Sequence, residues 1–379
     1  MKWKIPLYKV HADEEDIRAV TRVIRRGMDW AIGPEIEQFE KMLADYVGVD
    51  YCLAFNSGTS AGHAALLALG IQSGDEIIVP SFTFIATVNW VLMVNAKPKF
   101  ADIEEITLGL DPSKIGRQIS RRTKAIIPVH YAGSPCLIND INTVSKDHKI
   151  ALIEDAAESL GSKMGKKNIG TFGDISVFSF AGNKVLTTGE GGAITTNSRK
   201  LFEKMKLIRS HGRLINQNYF STNEIPRYVE LGYNWRMSSI TAALGISQLN
   251  RFEKLVNLRR KHARYISARL SKFKEITVPN EPNGFRHTYQ LYTIRLENSK
   301  MRNELQKFLT KRGIMSKIFF EPVHLTEFYK NTKFSESADL SVTENTYERI
   351  LTLPMYPGLT RENLDFICNA VEEFIESTK

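Results

Sequence analysis

The sequence predicts an α/β protein with a large domain on a mostly parallel, seven-stranded sheet and a smaller C-terminal α/β domain. Between residues 35 and 250, short apolar runs rich in Ile and Val alternate with stretches of helical period. Several of these runs are apolar at successive positions, as strands buried on both faces should be. Strand and helix in repeated alternation indicate a parallel sheet covered by helices. Residues 1–34 form an N-terminal segment. Residues 251–379, where a long basic helix is followed by a turn-rich stretch, form the smaller domain.

The composition is typical of a globular protein and excludes several other classes. Hydrophobic residues make up 42% and charged residues 25% of the 379 positions, unlike a disordered, collagenous or coiled-coil chain. The three cysteines, Cys52, Cys136 and Cys368, are widely spaced and without a CxxC pair, and they predict neither a disulfide framework nor a zinc-finger site. No apolar run approaches the roughly 20 residues that span a bilayer, and the first residues turn polar too soon for a signal peptide. We therefore expect a soluble, cytoplasmic protein that binds no membrane.

The net charge leaves two classes of partner open. The chain carries 51 basic and 42 acidic side chains, a balance of +9. This balance suits either a nucleic-acid-binding protein or an enzyme that acts on anionic small molecules. The basic pairs are scattered along the chain and mixed with acids, which favours solvated faces over a nucleic-acid surface. The charge is also compatible with a phosphorylated ligand.

The predicted elements follow in order along the chain. A first helix covers residues 14–26 and is ended by Gly27, and a second begins after Gly33-Pro34. The first helix has its apolar positions at Ile17, Val20 and Ile24. Strands are expected at 52–55, 76–80, 99–102, 125–130, 150–154, 175–180 and 192–196, with helices at 59–69, 85–94 and 138–148. In the smaller domain, helices are expected at 257–270, 302–311 and 364–375, and strands at 288–296 and 313–320.

Three segments at predicted strand ends carry chemistry, and the first reads Phe-Asn-Ser-Gly-Thr-Ser-Ala-Gly at 55–62. Backbone N–H groups at a helix N-terminus attract anions, and the hydroxyls of Thr59 and Ser60 add donors. Gly58 permits a close approach of the backbone. The same residues also suit an ordinary helix cap. Neither the P-loop lysine nor the dinucleotide-binding spacing is present.

The second segment places Glu154 and Asp155 at the end of an apolar strand. Ligands bind at this edge of open α/β sheets, where a carboxylate could hold a protonated heterocycle nitrogen or a metal ion, or could cap the next helix. Successive strand residues point to opposite faces, so the two carboxylates cannot share one site. We expect Glu154 to tolerate replacement by Gln far better than Asp155 tolerates Asn.

The third segment, Phe-Ser-Phe-Ala-Gly-Asn-Lys, brings Lys184 after another apolar strand and before a glycine-rich turn. A lysine held in a cleft can have its pKa lowered and form a Schiff base, although most loop lysines simply lie on the surface. Together, the three segments supply an anion-binding helix end, a carboxylate and a lysine at one sheet edge. These are the groups that the phosphate, the pyridine nitrogen and the aldehyde of pyridoxal 5′-phosphate (PLP) require.

The chain resembles, nearly end to end, the DegT/DnrJ/EryC1/StrS family of PLP-dependent sugar aminotransferases. The resemblance implies the aspartate aminotransferase-type architecture, fold type I. The motifs that carry it are GPE at 33–35, SGT at 57–59, GDEIIVPSFTFIA at 74–86, EDAA at 154–157, GTFGDISVFS at 170–179, TTGEGGA at 187–193, LGYNWRM at 231–237 and LPMYPG at 353–358. So many motifs in the same order make chance agreement negligible.

The resemblance implies a role for each residue that matches a family motif. Lys184 corresponds to the lysine that forms the Schiff base with the cofactor, and Asp155 to the partner of its ring nitrogen. Phe84 corresponds to an aromatic residue stacked on the ring, although it could equally be a core residue. The phosphate-binding positions are Gly58, Thr59, Ser60 and Ser179, joined by Asn234 from the neighbouring subunit of a homodimer. Asn234 could otherwise be an ordinary turn residue.

The implied reaction moves an amino group from L-glutamate to a keto carbon of a nucleotide-linked deoxysugar. Many family members have Gln where this chain has Glu158, beside the ring oxygen of the cofactor. Glu at this position is similar to members that convert GDP-4-keto-6-deoxy-D-mannose to GDP-perosamine. UDP- or dTDP-linked 3- or 4-keto sugars, and a non-catalytic regulator on the same fold, are the alternatives. The candidate substrate contacts are Arg236, Lys317 and His324.

Overall fold

The fold is described here from a computed structural model, for residues 3–214, 223, 225–332, 334 and 338–378. The helices are α1 (Glu14–Arg26), α2 (Pro34–Val47), α3 (Gly58–Ala68), α4 (Ile85–Met93), α5 (Pro112–Ile115), α6 (Ile138–His148), α7 (Arg199–Arg209), α8 (Ser239–Asn250), α9 (Phe252–Leu270), α10 (Ser299–Lys311), α11 (Glu327–Lys330), α12 (Ser341–Arg349) and α13 (Arg361–Ser377). The strands are β1 (Tyr51–Phe55), β2 (Glu76–Pro80), β3 (Lys97–Ala101), β4 (Thr123–Ile126), β5 (Ala151–Asp155), β6 (Lys163–Met164), β7 (Lys167–Asn168), β8 (Ile175–Ser179), β9 (Gly192–Thr196), β10 (Arg213–Leu214), β11 (Arg227–Tyr228), β12 (Ile276–Thr277), β13 (Phe285–Arg286), β14 (Tyr292–Leu296) and β15 (Ile350–Leu353).

The main sheet has seven strands in the order β1-β9-β8-β5-β4-β2-β3. Strand β9 runs antiparallel to both of its neighbours, and the remaining pairings are parallel. The predicted α/β fold with a large, mostly parallel sheet is therefore confirmed. The carboxyl ends of β1, β2, β4, β5 and β8 consequently meet at one edge of the sheet, where ligands bind in this class of fold.

The alternation of side chains along the strands divides the core of the main sheet into two layers. Along β1, Cys52 and Ala54 belong to one hydrophobic cluster, and Leu53 and Phe55 belong to the other. Every residue of β2 is buried. This explains why its sequence is apolar at successive positions, since both faces of the strand are covered by helices.

A second, smaller sheet, β12-β14-β15, is antiparallel and has its own hydrophobic cluster formed with α9, α10 and α13. Ile5, near the start of the chain, is fully buried in this cluster and bridges to Ile314. The division of the chain into residues 1–34, 35–250 and 251–379 stays a prediction. Of the described helices, none is long and apolar enough to cross a membrane.

The strand predicted at 313–320 is wrong as a continuous element. Its residues bridge to two different partners, Ile314 to Ile5 and Lys317 to Thr352, so no regular ladder develops. The strand predicted at 288–296 begins only at Tyr292 because the preceding residues bond to the large sheet's loops instead. The Leu291 N–H, for example, donates to the Ala132 carbonyl at 3.1 Å.

Helix α1 has the predicted bounds but a different buried face. Asp16, Ala19 and Val23 are buried, whereas Ile17 is 58% and Ile24 is 46% exposed. The Asp16 carboxylate accepts hydrogen bonds from Gln248 and Arg251, and these contacts hold the polar edge of the helix inward. Two of the three apolar positions that mark the helical period, Ile17 and Ile24, therefore face outward in the single chain.

Candidate active site

Lys184 lies beyond the end of β8, next to one carboxylate at the end of β5 and another just after it. Its Nζ is 3.5 Å from Oε1 of Glu158, and the two side chains are only 14% and 7% exposed. Asp155, the last residue of β5, is also buried. Burial raises the pKa of the Asp155 carboxyl, while hydrogen bonds from Thr87 and Ala157 and the positive charge of Lys184 oppose the shift. The structure thus brings one amine and two carboxylates together at the sheet edge.

Two hydrogen bonds orient the Asp155 carboxylate, and its burial makes a neighbouring cation favourable. The Thr87 hydroxyl donates to Oδ2 at 2.6 Å, and the Ala157 N–H donates to Oδ1 at 3.1 Å. Because burial penalises its ionised form, a neighbouring positive charge would stabilise the carboxylate. Thr87 belongs to the first turn of α4, whose N-cap is Phe84. Phe84 is 57% exposed and lies one helical turn from Thr87, with its ring centroid 5.8 Å from that of Phe320.

Glu154 points away from this site, as the alternation of strand residues predicts. It is fully buried, and His130 Nε2, the Ser176 hydroxyl and three backbone N–H groups surround its carboxylate. The Cys136 N–H donates to His130 Nδ1, which leaves Nε2 to carry the proton given to Glu154. Burial would raise the pKa of Glu154, but these hydrogen bonds hold it below its usual range. These contacts predict that Glu154→Gln lowers the stability of the fold, whereas the expectation that turnover tolerates Gln at this position better than Asn at 155 stays a prediction.

The N-terminus of α3 forms an anion-binding end at the same sheet edge. Ser57 is the N-cap, and its hydroxyl accepts from the Ser60 N–H at 3.1 Å. In the described part of the chain, the N–H groups of Gly58 and Thr59 have no acceptor. Free N–H groups at a helix start are suited to a phosphate. The Ser60 hydroxyl is already used within the chain, donating to Asn56 Oδ1 at 2.6 Å.

Two glycines allow α3, β8 and β9 to meet closely around this end. A Cβ atom on Gly58 would lie 3.1 Å from the Cβ of Ser179, so these two predicted phosphate-binding residues are side by side. A Cβ atom on Gly192 would lie only 2.4 Å from the Gly58 nitrogen. Larger residues at either position would push the helix start away from the sheet.

The residues present fit PLP. The free N–H groups of α3 suit its phosphate, the buried Asp155 suits a protonated ring nitrogen, and Lys184 is a primary amine for its aldehyde. The exposed Phe84 ring offers an aromatic surface for the pyridine ring. Among the described residues, no group of three or more His, Cys, Asp or Glu side chains could hold a metal ion.

The candidate substrate residues lie in three different surroundings. Lys317 is exposed and lines a cavity of about 470 Å³ that also includes Tyr8, Asn183 and Glu190. His324 is buried, with Nδ1 2.6 Å from the Ser81 hydroxyl and Nε2 3.2 Å from Glu344. Both of its ring nitrogens therefore have partners within the chain, and a substrate contact would require the loss of one of them.

Arg236 and Asn234 lie beside the segment that precedes α3. Arg236 donates to the Ser210 hydroxyl at 3.0 Å and forms a backbone bridge with Phe55. Asn234 is exposed, and its carbonyl accepts from Asn56 Nδ2 at 3.5 Å. The side chain of Asn234 is thus available at the surface near the phosphate-binding end.

Two residues of the site, Thr87 and Gln290, are absent from the sequence prediction. Thr87 binds Asp155, and the spacing of one helical turn from Phe84 was the available signal. Gln290 hydrogen bonds to the peptide groups on both sides of Lys184. It lies about a hundred residues away in a segment without a motif, so no local pattern could have indicated it.

A lysine, a buried carboxylate and an anion-binding helix end at one sheet edge define a PLP-dependent transferase of fold type I. Residues 10–372 match the model of the DegT/DnrJ/EryC1/StrS aminotransferase family, and the chain belongs to this family. Members of the family use PLP, and the chain is a PLP-dependent sugar aminotransferase.

Individual relatives match the chain over nearly its whole length. It is 38% identical over 348 residues to a GDP-perosamine synthase of Caulobacter vibrioides, which covers 91% of each protein. It is 32% identical over 365 residues to a pleiotropic regulatory protein of Geobacillus stearothermophilus, covering 95% of this chain and 94% of the relative. The solved structure of Helicobacter pylori PseC, an aminotransferase of pseudoaminic acid biosynthesis, has 30% sequence identity. It superposes with a TM-score of 0.92 over 100% of both chains.

Proposed function

We propose that this enzyme transfers the amino group of L-glutamate to a GDP-linked 4-keto-6-deoxyhexose, converting GDP-4-keto-6-deoxy-D-mannose to GDP-perosamine. The observation that carries the transfer chemistry is Lys184 Nζ held 3.5 Å from Glu158 and close to Asp155 in a buried site. The similarity to GDP-perosamine synthases, together with Glu158 in place of Gln, supports this choice of sugar.

Each site residue then has a defined task. PLP, when bound, supplies a conjugated ring that accepts the electron pair released from the donor's Cα. Lys184 Nζ removes the proton from Cα of glutamate and later gives a proton to the former keto carbon of the sugar. Asp155 holds the proton on the ring nitrogen. The N–H groups of Gly58 and Thr59 would bind the phosphate with Ser179, and Ser60 would join them once its hydroxyl turns away from Asn56. Phe84 would pack on the ring.

The sugar nucleotide is assigned to the cavity lined by Lys317 and Tyr8, because it adjoins Asn183 next to Lys184. Lys317 gives this cavity a positive charge that suits a diphosphate. Arg236 is a second candidate contact for an anion, located beside Phe55 at the end of β1. Burial and the neighbouring Arg213 and Arg209 lower the pKa of its guanidinium, so an anion there would relieve an unfavourable interaction. His324 is retained as a candidate contact on the condition that its bond to Glu344 opens.

A homodimer with shared sites is also part of the proposal. The outward apolar stripe of α1, with Ile17 and Ile24, continues into exposed Met28 and Trp30 and suits burial against a second copy. Asn234 would then contact the phosphate of the partner's site. Three free thiols support a reducing, cytoplasmic location.

Subunit mixing tests the shared site. We expect Lys184→Ala and Asn234→Ala homodimers to lack activity when assayed alone, whereas each mixed dimer should contain one intact site. We expect activity to return toward half of the wild-type value per mixed dimer. Proven subunit exchange without any recovery would contradict the contribution of Asn234 across the interface.

Competition between keto sugar nucleotides tests the substrate. GDP-, UDP- and dTDP-linked keto sugars are mixed with enzyme and glutamate, and the products are separated to give ratios of kcat/KM. We expect the GDP-linked sugar to be preferred, because a site built to bond one base rejects another whose polar groups stay unpaired. A preference for UDP or dTDP would overturn the sugar assignment and leave the aminotransferase class unchanged.

The similarity to a pleiotropic regulatory protein favours a regulatory role as the second candidate. Purified protein distinguishes the two. A catalytic site joined to PLP through Lys184 gives a yellow protein that loses its colour in the presence of glutamate. A colourless protein that takes up no PLP would favour the regulator.

A further inference from the structure

Gln290 spans the two peptide groups on either side of Lys184. Its Oε1 accepts from the Val185 N–H at 2.9 Å, and its Nε2 donates to the Asn183 carbonyl at 2.9 Å. The side chain is only 4% exposed. Because one bond needs an acceptor and the other a donor, a carboxamide suits this position better than Glu or Lys.

The backbone around Gln290 is itself fixed by a buried arginine. Arg259 Nη1 donates to the carbonyls of Tyr289, Gln290 and Met355 at 3.0, 3.2 and 2.9 Å. Arg259 is buried, and this burial lowers the pKa of its guanidinium to about 9. A buried cation that satisfies three carbonyls holds this segment in one position, since its release would leave several polar groups unpaired.

The same segment also leads back to the carboxylate beside Lys184. The Leu291 N–H donates to the Ala132 carbonyl at 3.1 Å, and the Ala132 N–H donates to Glu158 Oε2 at 2.8 Å. Oε1 of Glu158 faces Lys184 Nζ. The contacts therefore form a closed circuit in which residues 290–291 fix both the backbone of Lys184 and its acidic neighbour.

We propose that Gln290 is a positioning residue that sets Lys184 Nζ relative to Glu158 and Asp155. This inference rests on the role of Lys184 in the proposed function. The Lys184 N–H donates to the Ala181 carbonyl within its own loop. Gln290 connects this loop to the segment that leads into β14 of the smaller sheet.

The test replaces Gln290 by Met, which keeps the length of the side chain and removes both hydrogen bonds. We expect kcat to fall about tenfold or more, the effect of losing two ordinary hydrogen bonds that hold the peptide groups on either side of Lys184. The KM for glutamate should change by less than about threefold, because binding groups are untouched. Independently of turnover, the Val185 amide in full-length, cofactor-free protein should exchange its hydrogen about tenfold faster.

Asn168→Leu is the matched control. Its amide donates to two backbone carbonyls, those of Tyr46 and Val47, at 3.1 and 3.0 Å. This variant should lose stability without a change in kcat or in Val185 exchange. If Gln290→Met does not fold, Gln290→Glu keeps the acceptor for Val185 but turns a carboxylate oxygen toward the Asn183 carbonyl, and kcat should likewise fall with little change in KM.

The outcomes separate the inference from the proposed function. Wild-type kcat in the Gln290 variant despite faster Val185 exchange would overturn the positioning role, as would unchanged exchange. A loss of kcat equal to that of the Asn168 control would mean a general effect of lowered stability and would also overturn it. Turnover by Lys184→Ala would instead refute the role of Lys184. That measurement needs no Gln290 variant, so the two failures can be told apart.

Discussion

Asp155 and Glu154 are adjacent carboxylates on opposite faces of β5. We expect Asp155→Asn to lower turnover and Glu154→Gln to lower the stability of the fold. Asp155→Asn keeps the size of the side chain, and its amide can accept from the Ala157 N–H while donating to the Thr87 hydroxyl, which can turn toward Thr83. We therefore expect the fold to persist and PLP to stay bound. Turnover should fall about 10- to 1,000-fold, because one opposite charge is worth roughly 1–3 pKa units to a ring nitrogen.

Glu154→Gln should instead lower the free energy of unfolding. Oε1 accepts from three donors, including the Phe172 and Gly173 N–H groups, and Oε2 accepts from the Gly170 N–H and from His130. In either orientation, the new NH₂ group faces at least two donors. Each buried donor left unpaired costs about 1–3 kcal/mol, so the loss should be about 2–6 kcal/mol.

Urea unfolding and turnover, both measured on Asp155→Asn and on Glu154→Gln, test these two predictions. Unfolding is followed in cofactor-free protein so that differences in PLP affinity do not enter the comparison. Turnover is expressed per PLP-loaded site, counted from the visible absorbance. A wild-type unfolding midpoint for Glu154→Gln would refute the account of the buried carboxylate. Near wild-type turnover for Asp155→Asn would refute its role at the ring nitrogen.

Three further outcomes are expected. Lys184→Ala should abolish turnover with little change in the unfolding midpoint, and borohydride treatment of the wild-type protein with PLP should modify the Lys184 peptide; modification of a different lysine would contradict the assignment. Gly192→Ala should weaken PLP binding at least about tenfold in a fluorescence titration, because its Cβ would lie 2.4 Å from the Gly58 nitrogen; unchanged affinity would show that the α3 end is not needed in that position. The pKa of Glu154 is lowered in the folded chain, so the stability difference between wild type and Glu154→Gln should be complete above about pH 4.3 and shrink as the pH falls through the folded-state pKa. A difference that stays constant in acid unfolding down to about pH 3 would contradict this sign.

The secondary structure could be predicted best where local chemistry marks both ends of an element. Strands 76–80 and 192–196 have the predicted bounds, and helix 14–26 begins after an Asp cap and ends at Gly27. The buried face of that helix could not be predicted. Periodicity locates an apolar stripe but does not reveal which surface covers it, and contacts from Arg251, far along the chain, decide the orientation.

Some residues of the candidate site could be predicted from local sequence patterns, and others could not. Lys184 and Asp155 follow apolar strands, and the shared edge of a parallel sheet brings them together without further information. Gln290 acts through two bonds to backbone atoms of a segment distant in sequence, and a lone Gln has no pattern of its own. The segment 313–320 shows the related difficulty for strands, because a β-prone run does not specify whether one partner or several will pair with it.

The antiparallel strand β9 has a consequence for how the chain can vary in length. Ser179 at the end of β8 pairs directly with Gly192 at the start of β9, so residues 180–191 leave and re-enter the sheet at a single point. Lys184 lies on this short closed loop, and an inserted or deleted residue would rotate its side chain out of register with Asp155. The crossover connections of the parallel strands carry site residues only where they leave the carboxyl ends of the strands, and their remaining parts run over the outer surface and impose no such limit. Length changes between relatives should therefore collect in those crossovers, while the number of residues between β8 and β9 stays fixed.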